Sequence, residues 1–154
     1  MIDGVTRVPL RRFEDDRDWF MELYRERWLP ERARQSNLSF SKRGVIRGLH
    51  YHERGQDDLF VCLSGTARVV VLDPESGESF TEDIGDPNPT AVHIRHGLAH
   101  GFEALTDILF CYQVTREYDP ADPDEHNVPW DDPRVKHLWS TESPILSERD
   151  ADAS

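Results

Sequence analysis

Short apolar runs separated by turn residues follow one another through the middle of this chain, and they constrain its fold more than any other feature. Ser64-Gly65 stands between two of these runs, which is a hairpin signature. Many short strands with a turn every roughly 8–12 residues predict an all-β sandwich or barrel. The predicted strands lie near residues 38–40, 45–49, 59–63, 66–72, 80–84, 92–94, 101–105 and 108–115, with 80–84 as an edge strand.

The segments on either side of these strands have a different composition. Residues 1–36 are charged and carry Trp19, Phe20, Tyr24 and Trp28. The spacing of the last three aromatic residues with Leu23 predicts a short helix, and an arm that packs on a partner subunit is the alternative. Residues 119–144 are rich in Pro and Asp, with Asn127 among them, and predict an ordered segment without regular structure. We therefore expect one domain with an N-terminal arm (1–36), a barrel (37–118) and a C-terminal wrap (119–154).

The charge balance excludes some classes of partner. Thirty acidic residues against 18 basic ones give a formal net charge of -12. Such a chain is a poor match for a nucleic acid or an anionic membrane, although local arginines still allow an anionic small ligand. Cys62 and Cys111 lie in apolar runs and are expected to be buried, reduced thiols. No apolar run approaches the roughly 20 residues of a membrane span, and the N-terminus does not resemble a signal peptide, so a cytoplasmic location is expected.

Two histidines in one predicted strand mark the candidate site. His50 and His52 are two positions apart, so their side chains point to the same face of the strand. Asp58 begins the next strand after a short turn and can face them. A small β-barrel can use such a group for proton transfer or for binding a metal, and the residues alone leave both chemistries open.

Several longer stretches resemble the dTDP-4-dehydrorhamnose 3,5-epimerase family, whose members act on nucleotide-activated 4-keto-6-deoxy sugars. They occur in the family's order and cover roughly residues 8–150. The resemblance implies a cupin-type jelly-roll β-barrel and a homodimer with exchanged N-terminal strands. The matching stretches are Asn37-Leu-Ser39, Gly44-Val-Ile-Arg-Gly-Leu-His-Tyr51, Gly97-Leu-Ala-His-Gly-Phe102, Tyr112, Trp130-Asp-Asp-Pro133 and Ile145-Leu-Ser-Glu-Arg-Asp150.

The resemblance also implies a chemistry and assigns residues to it. A proton is removed next to a ketone and another is returned to the opposite face of the sugar through an enolate, which requires no redox cofactor. His50 matches the family's base, Asp150 the carboxylate that orients it, and Tyr112 the acid on the other face. The substrate-binding positions that match are Arg47, His100, Asn37 and Ser39.

Two residues depart from the family's pattern. His52 stands where the family usually has glutamine, and Asp58 stands where it has lysine. With His50 and His100 they match the spacing by which many cupins bind Fe, Mn, Ni, Co or Zn. A metal on His50 would occupy the nitrogen that the base needs, so the two interpretations compete. The simplest alternative is that Asp58 is a solvated carboxylate in a turn.

Two other functions remain open at this level. The Arg-Gly-x-His-x-His stretch also resembles the sugar 3,4-ketoisomerases, although the C-terminal stretch does not. A sugar-binding homologue without catalysis is the second alternative. His93 and His96 are expected to have surface or packing roles, and 122–125 reads as a solvated acidic loop. Because strict alternation places Arg47 on the face opposite His50, convergence of the two requires a bulge or twist at Gly48.

Overall fold

Two five-stranded antiparallel sheets form the body of the protein. The computed structural model describes residues 2–153. The twelve strands are β1 (Val5–Pro9), β2 (Arg12–Asp15), β3 (Asp18–Met21), β4 (Gln35–Ser41), β5 (Ile46–Tyr51), β6 (Asp58–Ser64), β7 (Thr66–Leu72), β8 (Ser79–Gly85), β9 (Thr90–Ile94), β10 (Ala99–Ala104), β11 (Ile108–Val114) and β12 (His126–Asn127). The first sheet has the order β1-β9-β6-β11-β4, the second has the order β12-β5-β10-β7-β8, and β2 and β3 form a separate hairpin.

The two sheets face each other across one apolar core. Phe60 and Phe110 of the first sheet pack with Val69 and Phe102 of the second, and all four side chains are buried. The rings of Phe102 and Phe110 stack with their centroids 3.8 Å apart. The predicted all-β jelly roll is confirmed, and its sheets enclose the core without joining into one continuous barrel over residues 2–153. The edge position predicted for residues 80–84 is also confirmed, because β8 ends the second sheet.

The hairpin predicted at Ser64-Gly65 is wrong. β6 pairs with β9 and β11, whereas β7 pairs with β8 and β10, so the turn carries the chain from one sheet to the other. Asp86 holds this crossing in place: its carboxylate accepts a hydrogen bond from the Gly65 N–H at 3.0 Å, and its own N–H donates to the Gly65 carbonyl at 2.9 Å. A two-residue turn pattern predicts that the chain reverses direction, but it does not predict to which sheet the next strand belongs.

The N-terminal segment adds a strand rather than a helix. β1 pairs with β9 at the edge of the first sheet. The helix expected around residues 20–28 is wrong apart from one 3-10 turn at Glu26–Trp28. Phe20 instead lies in β3, opposite Phe13 of β2. Tyr24 packs with Leu59 on the outer face of the first sheet, and its hydroxyl accepts a hydrogen bond from the N–H of Ala33 at 2.7 Å. This packing overrides the helical spacing.

The C-terminal wrap covers the outer face of the second sheet. Trp130 and Trp139 pack against Leu49 and Leu72 there, and the Trp139 indole N–H donates to the Trp130 carbonyl at 2.8 Å. As predicted, most of the segment is irregular, but it ends in a short helix, α1 (Glu148–Asp152). Within residues 2–153, no helix is long and apolar enough to cross a membrane.

Candidate active site

One cavity of about 830 Å³ opens between the two sheets. Its size lies within the roughly 300–1,000 Å³ range of small-molecule sites. Strands of both sheets contribute to its walls, and α1 and the wrap close one side. It brings together nearly every site residue that the sequence predicted: Asn37, Arg47, His50, His52, Asp58, His100, Tyr112 and Asp150. Ser39 follows two positions after Asn37 on β4 but does not line the cavity.

His50 is paired with a carboxylate from the end of the chain. Its Nε2 lies 2.7 Å from Oδ1 of Asp150, and Oδ2 of the same carboxylate accepts the Gly48 N–H at 3.1 Å. Asp150 reaches this point because α1 is capped by Ser147, whose hydroxyl accepts the Asp150 N–H. Burial alone would raise the pKa of Asp150, but the contacts from His50 and Gly48 outweigh it and lower the pKa below its ordinary value. The carboxylate therefore stays ionised beside the imidazole.

Two further charged groups surround His50, and the sequence did not point to either. Glu125 Oε1 lies 3.8 Å from Nδ1, and Arg149 Nη2 lies 3.2 Å from Nε2. Arg149 also pairs with Glu125 at 2.8 Å. Glu125 is held here because β12, which follows it, pairs with β5 at the register Asn127 to His50. The segment 122–125 is a loop as predicted, but it is not simply solvated, because Asp122, Asp124 and Glu125 all line the cavity.

A bulge at Gly48 brings Arg47 and His50 to the same cavity, as predicted. Along β10, His100 lies opposite His50 and Phe102 lies opposite Arg47, so three steps on β5 match two on β10. Gly48 has a φ of +137°, and a Cβ there would lie 2.7 Å from the Gly101 Cα. The bulge therefore requires glycine at this position.

Arg47 is fixed at the edge of the cavity by the first sheet. Its Nε donates to the Ser41 hydroxyl at 2.9 Å, and its Nη2 donates to the Phe40 carbonyl at 3.3 Å. These two contacts leave further guanidinium N–H groups that can donate to a bound ligand. The position suits contact with an anionic or carbonyl oxygen.

Tyr112 approaches the cavity from the opposite sheet. It lies on β11 and packs edge-on against Phe60, with ring centroids 6.1 Å apart. Burial and then the negative charge of Asp58 raise the pKa of its hydroxyl above the ordinary value. The phenol is therefore protonated at neutral pH. His50 and Tyr112 are thus placed on different walls of one cavity.

His52, Asp58 and His100 form a separate buried group. Their exposed fractions are 7%, 3% and 5%, and one ligating atom from each lies within 4.8 Å of the others. Asp58 Oδ2 lies 3.4 Å from the His100 Nε2, and Oδ1 lies 3.7 Å from the His52 Nε2. The prediction of a solvated Asp58 is therefore wrong. The predicted metal site of four residues is also wrong for His50. Its ring contacts Asp150 and does not belong to the group of His52, Asp58 and His100.

The remaining predicted histidines serve a structural carboxylate. His93 Nε2 and His96 Nδ1 lie 2.8 and 2.9 Å from the two carboxylate oxygens of Asp57, which is buried beside the cavity without lining it. Burial would raise the pKa of Asp57, but these histidine contacts and the His96 N–H lower it to about 2. The expectation of a packing role for these two histidines agrees with this arrangement.

Comparison with known proteins identifies relatives of the whole chain. A family model described as dTDP-4-dehydrorhamnose 3,5-epimerase matches residues 1–154. The spore coat polysaccharide biosynthesis protein SpsL of Bacillus subtilis (strain 168) is 40% identical over 150 residues, which cover 92% of this chain and 99% of the relative. A dTDP-4-dehydrorhamnose 3-epimerase of Streptomyces niveus is 36% identical over 166 residues, covering 99% of this chain and 79% of the relative.

A solved structure has the same architecture. It is a dTDP-6-deoxy-D-glucose-3,5-epimerase from Legionella pneumophila Philadelphia 1 in complex with dTDP-4-keto-L-rhamnose. The two proteins are 30% identical and superpose with a TM-score of 0.87, over 99% of this chain and 87% of the other.

Proposed function

The chain belongs to the dTDP-4-dehydrorhamnose 3,5-epimerase family, and we propose that it epimerises a nucleotide-activated 4-keto-6-deoxy sugar. The step removes a proton from a carbon next to the ketone and returns one to the opposite face through an enolate. Such a step needs a base and an acid on the two sides of the sugar. The observation that carries the proposal is the His50–Asp150 pair on one cavity wall with Tyr112 on the other.

His50 is the base in this proposal. In this proposal Nε2 donates its proton to Asp150, the shorter of its two contacts, so the neutral ring has its lone pair on Nδ1. The Arg149 Nη2, 3.2 Å from Nε2, is then a contact without a hydrogen bond. Nδ1 takes the sugar proton, and the ionised Asp150 stabilises the imidazolium that forms. Glu125 lies 3.8 Å from Nδ1 and is itself paired with Arg149 at 2.8 Å.

Tyr112 is the acid in this proposal. A sugar ring held between the sheets would present one face to His50 on β5 and the other to Tyr112 on β11. The raised pKa of Tyr112 keeps its proton available at neutral pH. Donation from this side inverts the carbon, whereas return of the proton by His50 restores the starting configuration.

Arg47 and Asn37 are the proposed substrate contacts, and His100 lines the cavity beside them with its Nδ1 bonded to the Leu98 carbonyl. All three line the cavity, and the fixed guanidinium of Arg47 suits the ketone oxygen or the diphosphate. Ser39 is left out of this set because it does not line the cavity. The reaction needs no redox cofactor, since the proton removed and the proton returned leave the oxidation state of the sugar unchanged.

Two alternatives are less well supported. A sugar 3,4-ketoisomerase would also use a histidine, but the C-terminal helix that supplies Asp150 to His50 belongs to the stretch that resembles the epimerases. A sugar-binding module has no need for a buried histidine–carboxylate pair opposite a protonated phenol. The three functions predict different outcomes when the protein is incubated with a keto-sugar nucleotide in D2O.

We also propose that the protein is a homodimer in the cytoplasm. The hairpin of β2 and β3 leaves Phe13, Trp19 and Phe20 exposed, and the edge strand β4 leaves Leu38 and Phe40 exposed. Apolar surface of this kind marks interaction sites. The free thiols Cys62 and Cys111 agree with a reducing compartment. Light scattering on the purified protein tests the dimer, and a monomeric mass would reject it.

Incubation with dTDP-4-keto-6-deoxyglucose in D2O tests the proposed reaction. We expect NMR spectra to show deuterium at C3, at C5 or at both, together with inversion at the labelled carbon. Migration of the carbonyl from C4 to C3 would identify a ketoisomerase. Binding of the nucleotide sugar without any exchange would identify a binding module, and either result would contradict the proposal.

A further inference from the structure

We propose that His52, Asp58 and His100 form a three-ligand site for a divalent transition metal such as Zn²⁺, bound by the two Nε2 atoms and a carboxylate oxygen. The three side chains are buried and close enough to bind one ion. His50 is outside this site, so metal binding leaves its ring nitrogens to the pair with Asp150 and to the sugar.

Backbone carbonyls fix both histidines in the form that a metal requires. His52 Nδ1 lies 2.7 Å from the Asp124 carbonyl, and His100 Nδ1 lies 2.9 Å from the Leu98 carbonyl. A carbonyl only accepts, so each Nδ1 must carry a proton, and each neutral ring has its lone pair on Nε2. Histidines that bind metals are held by this second hydrogen bond in most known sites.

Both Nε2 atoms then face the carboxylate of Asp58, and an ion or a proton is what could lie between them. The carboxylate oxygens lie 3.4 Å from the His100 Nε2 and 3.7 Å from the His52 Nε2. Both separations exceed the length of a charge-assisted hydrogen bond, which is about 2.7–2.9 Å. Two ligands about 2.0–2.1 Å from a tetrahedral Zn²⁺ lie about 3.3 Å apart. The separation of the His100 Nε2 from Oδ2 therefore matches two ligands of one ion, and the separation of the His52 Nε2 from Oδ1 is about 0.4 Å longer than this reference.

Gln56 contacts the same atoms. Its amide nitrogen lies 3.1 Å from the His52 Nε2 and 3.2 Å from Asp58 Oδ1, so it donates to both. Donation to the His52 Nε2 requires that this nitrogen be unprotonated, which agrees with the tautomer set by the Asp124 carbonyl. A metal would use the same lone pair, so the bound ion would replace this hydrogen bond. All three ligands and Gln56 line the cavity, so an ion bound there would be accessible from the side where a ligand binds.

The site has a consequence for charge in the cavity, and this consequence alone rests on the proposed function. An ionised Asp58 would oppose the negative charge of an enolate formed nearby. A divalent cation on one carboxylate and two neutral imidazoles leaves one net positive charge, which would favour the enolate instead. A proton held between Asp58 and His100 is the competing occupant, and it would leave the pair neutral overall.

Metal binding is best measured without any sugar. The untagged protein would be stripped with a chelator, freed of the chelator and titrated with Co²⁺ while visible absorption is recorded, with Zn²⁺ content measured by mass spectrometry. We expect one ion per chain and the strong absorption bands of tetrahedral Co²⁺. Asp58→Asn and His100→Gln should each weaken binding by more than about 100-fold, since loss of an outer partner of a ligand already costs about 10–100-fold.

The exposed His137 supplies the matched control. His137→Gln removes one imidazole outside the cavity and should bind Co²⁺ as the wild type does. Circular dichroism establishes that each variant is folded, and Zn²⁺ should raise the Tm of the wild type and of His137→Gln only. Substoichiometric binding by the wild type, or unchanged binding by Asp58→Asn, would overturn the site. Deuterium exchange into the sugar by the stripped protein tests the proposed function separately.

Discussion

The Nε2 atom of His50 lies 2.7 Å from Oδ1 of Asp150, although the two residues are 100 positions apart in the chain. The other oxygen of the carboxylate accepts the N–H of Gly48, the residue at the bulge of β5. One side chain from α1 therefore orients the imidazole and holds the strand that carries it. Stabilisation of a protonated imidazole depends on a charged carboxylate, which the lowered pKa of Asp150 secures at neutral pH.

Asp150→Asn should lower kcat by about 10²-fold or more while changing KM little, because a general base contributes roughly 10²–10⁴-fold. The amide cannot stabilise the imidazolium, and its NH2 group can favour the wrong tautomer of His50. Steady-state kinetics with the nucleotide sugar measures this. Asp152→Asn changes an exposed carboxylate on the same helix and should leave both constants unchanged. Equal losses in the two variants would show that α1 acts only through its stability.

Tyr112→Phe should separate exchange from inversion. Without the hydroxyl, His50 can still remove a proton and return a deuteron to the same face, so exchange in D2O continues. Net epimerisation should fall by about 10²-fold or more, the contribution of a general acid. NMR measures both quantities in one sample. Full inversion at the wild-type rate would assign the acid to another residue.

Gly48→Ala should destabilise the protein by about 3 kcal/mol, since it combines strain at positive φ with overpacking of a buried strand. The new Cβ would lie 2.7 Å from the Gly101 Cα. Gly97→Ala is the matched control, because Gly97 also has positive φ but a Cβ there meets nothing within 4 Å. It should cost only about 1 kcal/mol. Urea unfolding compares the two, and equal costs would mean that the bulge tolerates a side chain.

The lowered pKa of Asp57 should make the folded protein less stable at acid pH. Its pKa is about 2 in the folded protein against an ordinary value of 3.8, so the unfolded chain binds the proton more tightly. Its stabilisation is therefore complete above about pH 4 and is lost as the pH falls towards 2, and it amounts to about 2 kcal/mol. Asp57→Asn should cost this amount at pH 7 and much less near pH 2.5 in urea unfolding. A deficit independent of pH would contradict the role of the charge.

The strand pattern was readable from the sequence because short apolar runs bounded by turn residues are typical of buried strands. β6, β7 and β11 lie close to where the apolar runs predicted them. The pairing of β6 with β11 instead of β7 was not readable, since a turn signal at Gly65 carries no information about the receiving sheet. The helix predicted near Tyr24 failed for a related reason: contacts with the first sheet override local spacing.

Some features of the site could also be predicted from the sequence, and others could not. Spacing alone grouped His52 with Asp58, and the resemblance placed Asp150 beside His50 although nothing local connects them. The exclusion of His50 from the metal group could not be foreseen, because it depends on which partner each ring faces. Glu125 was missed because its position depends on the pairing of β12 with β5. A strand of only two residues has no pattern in the sequence from which it could be predicted.

The rate of deuterium incorporation into the keto-sugar by His50→Ala tests the central claim most directly. We expect a loss of about 10³-fold relative to wild type, with nucleotide-sugar binding retained and with His137→Gln exchanging at the wild-type rate. Incorporation by His50→Ala at the wild-type rate would contradict it.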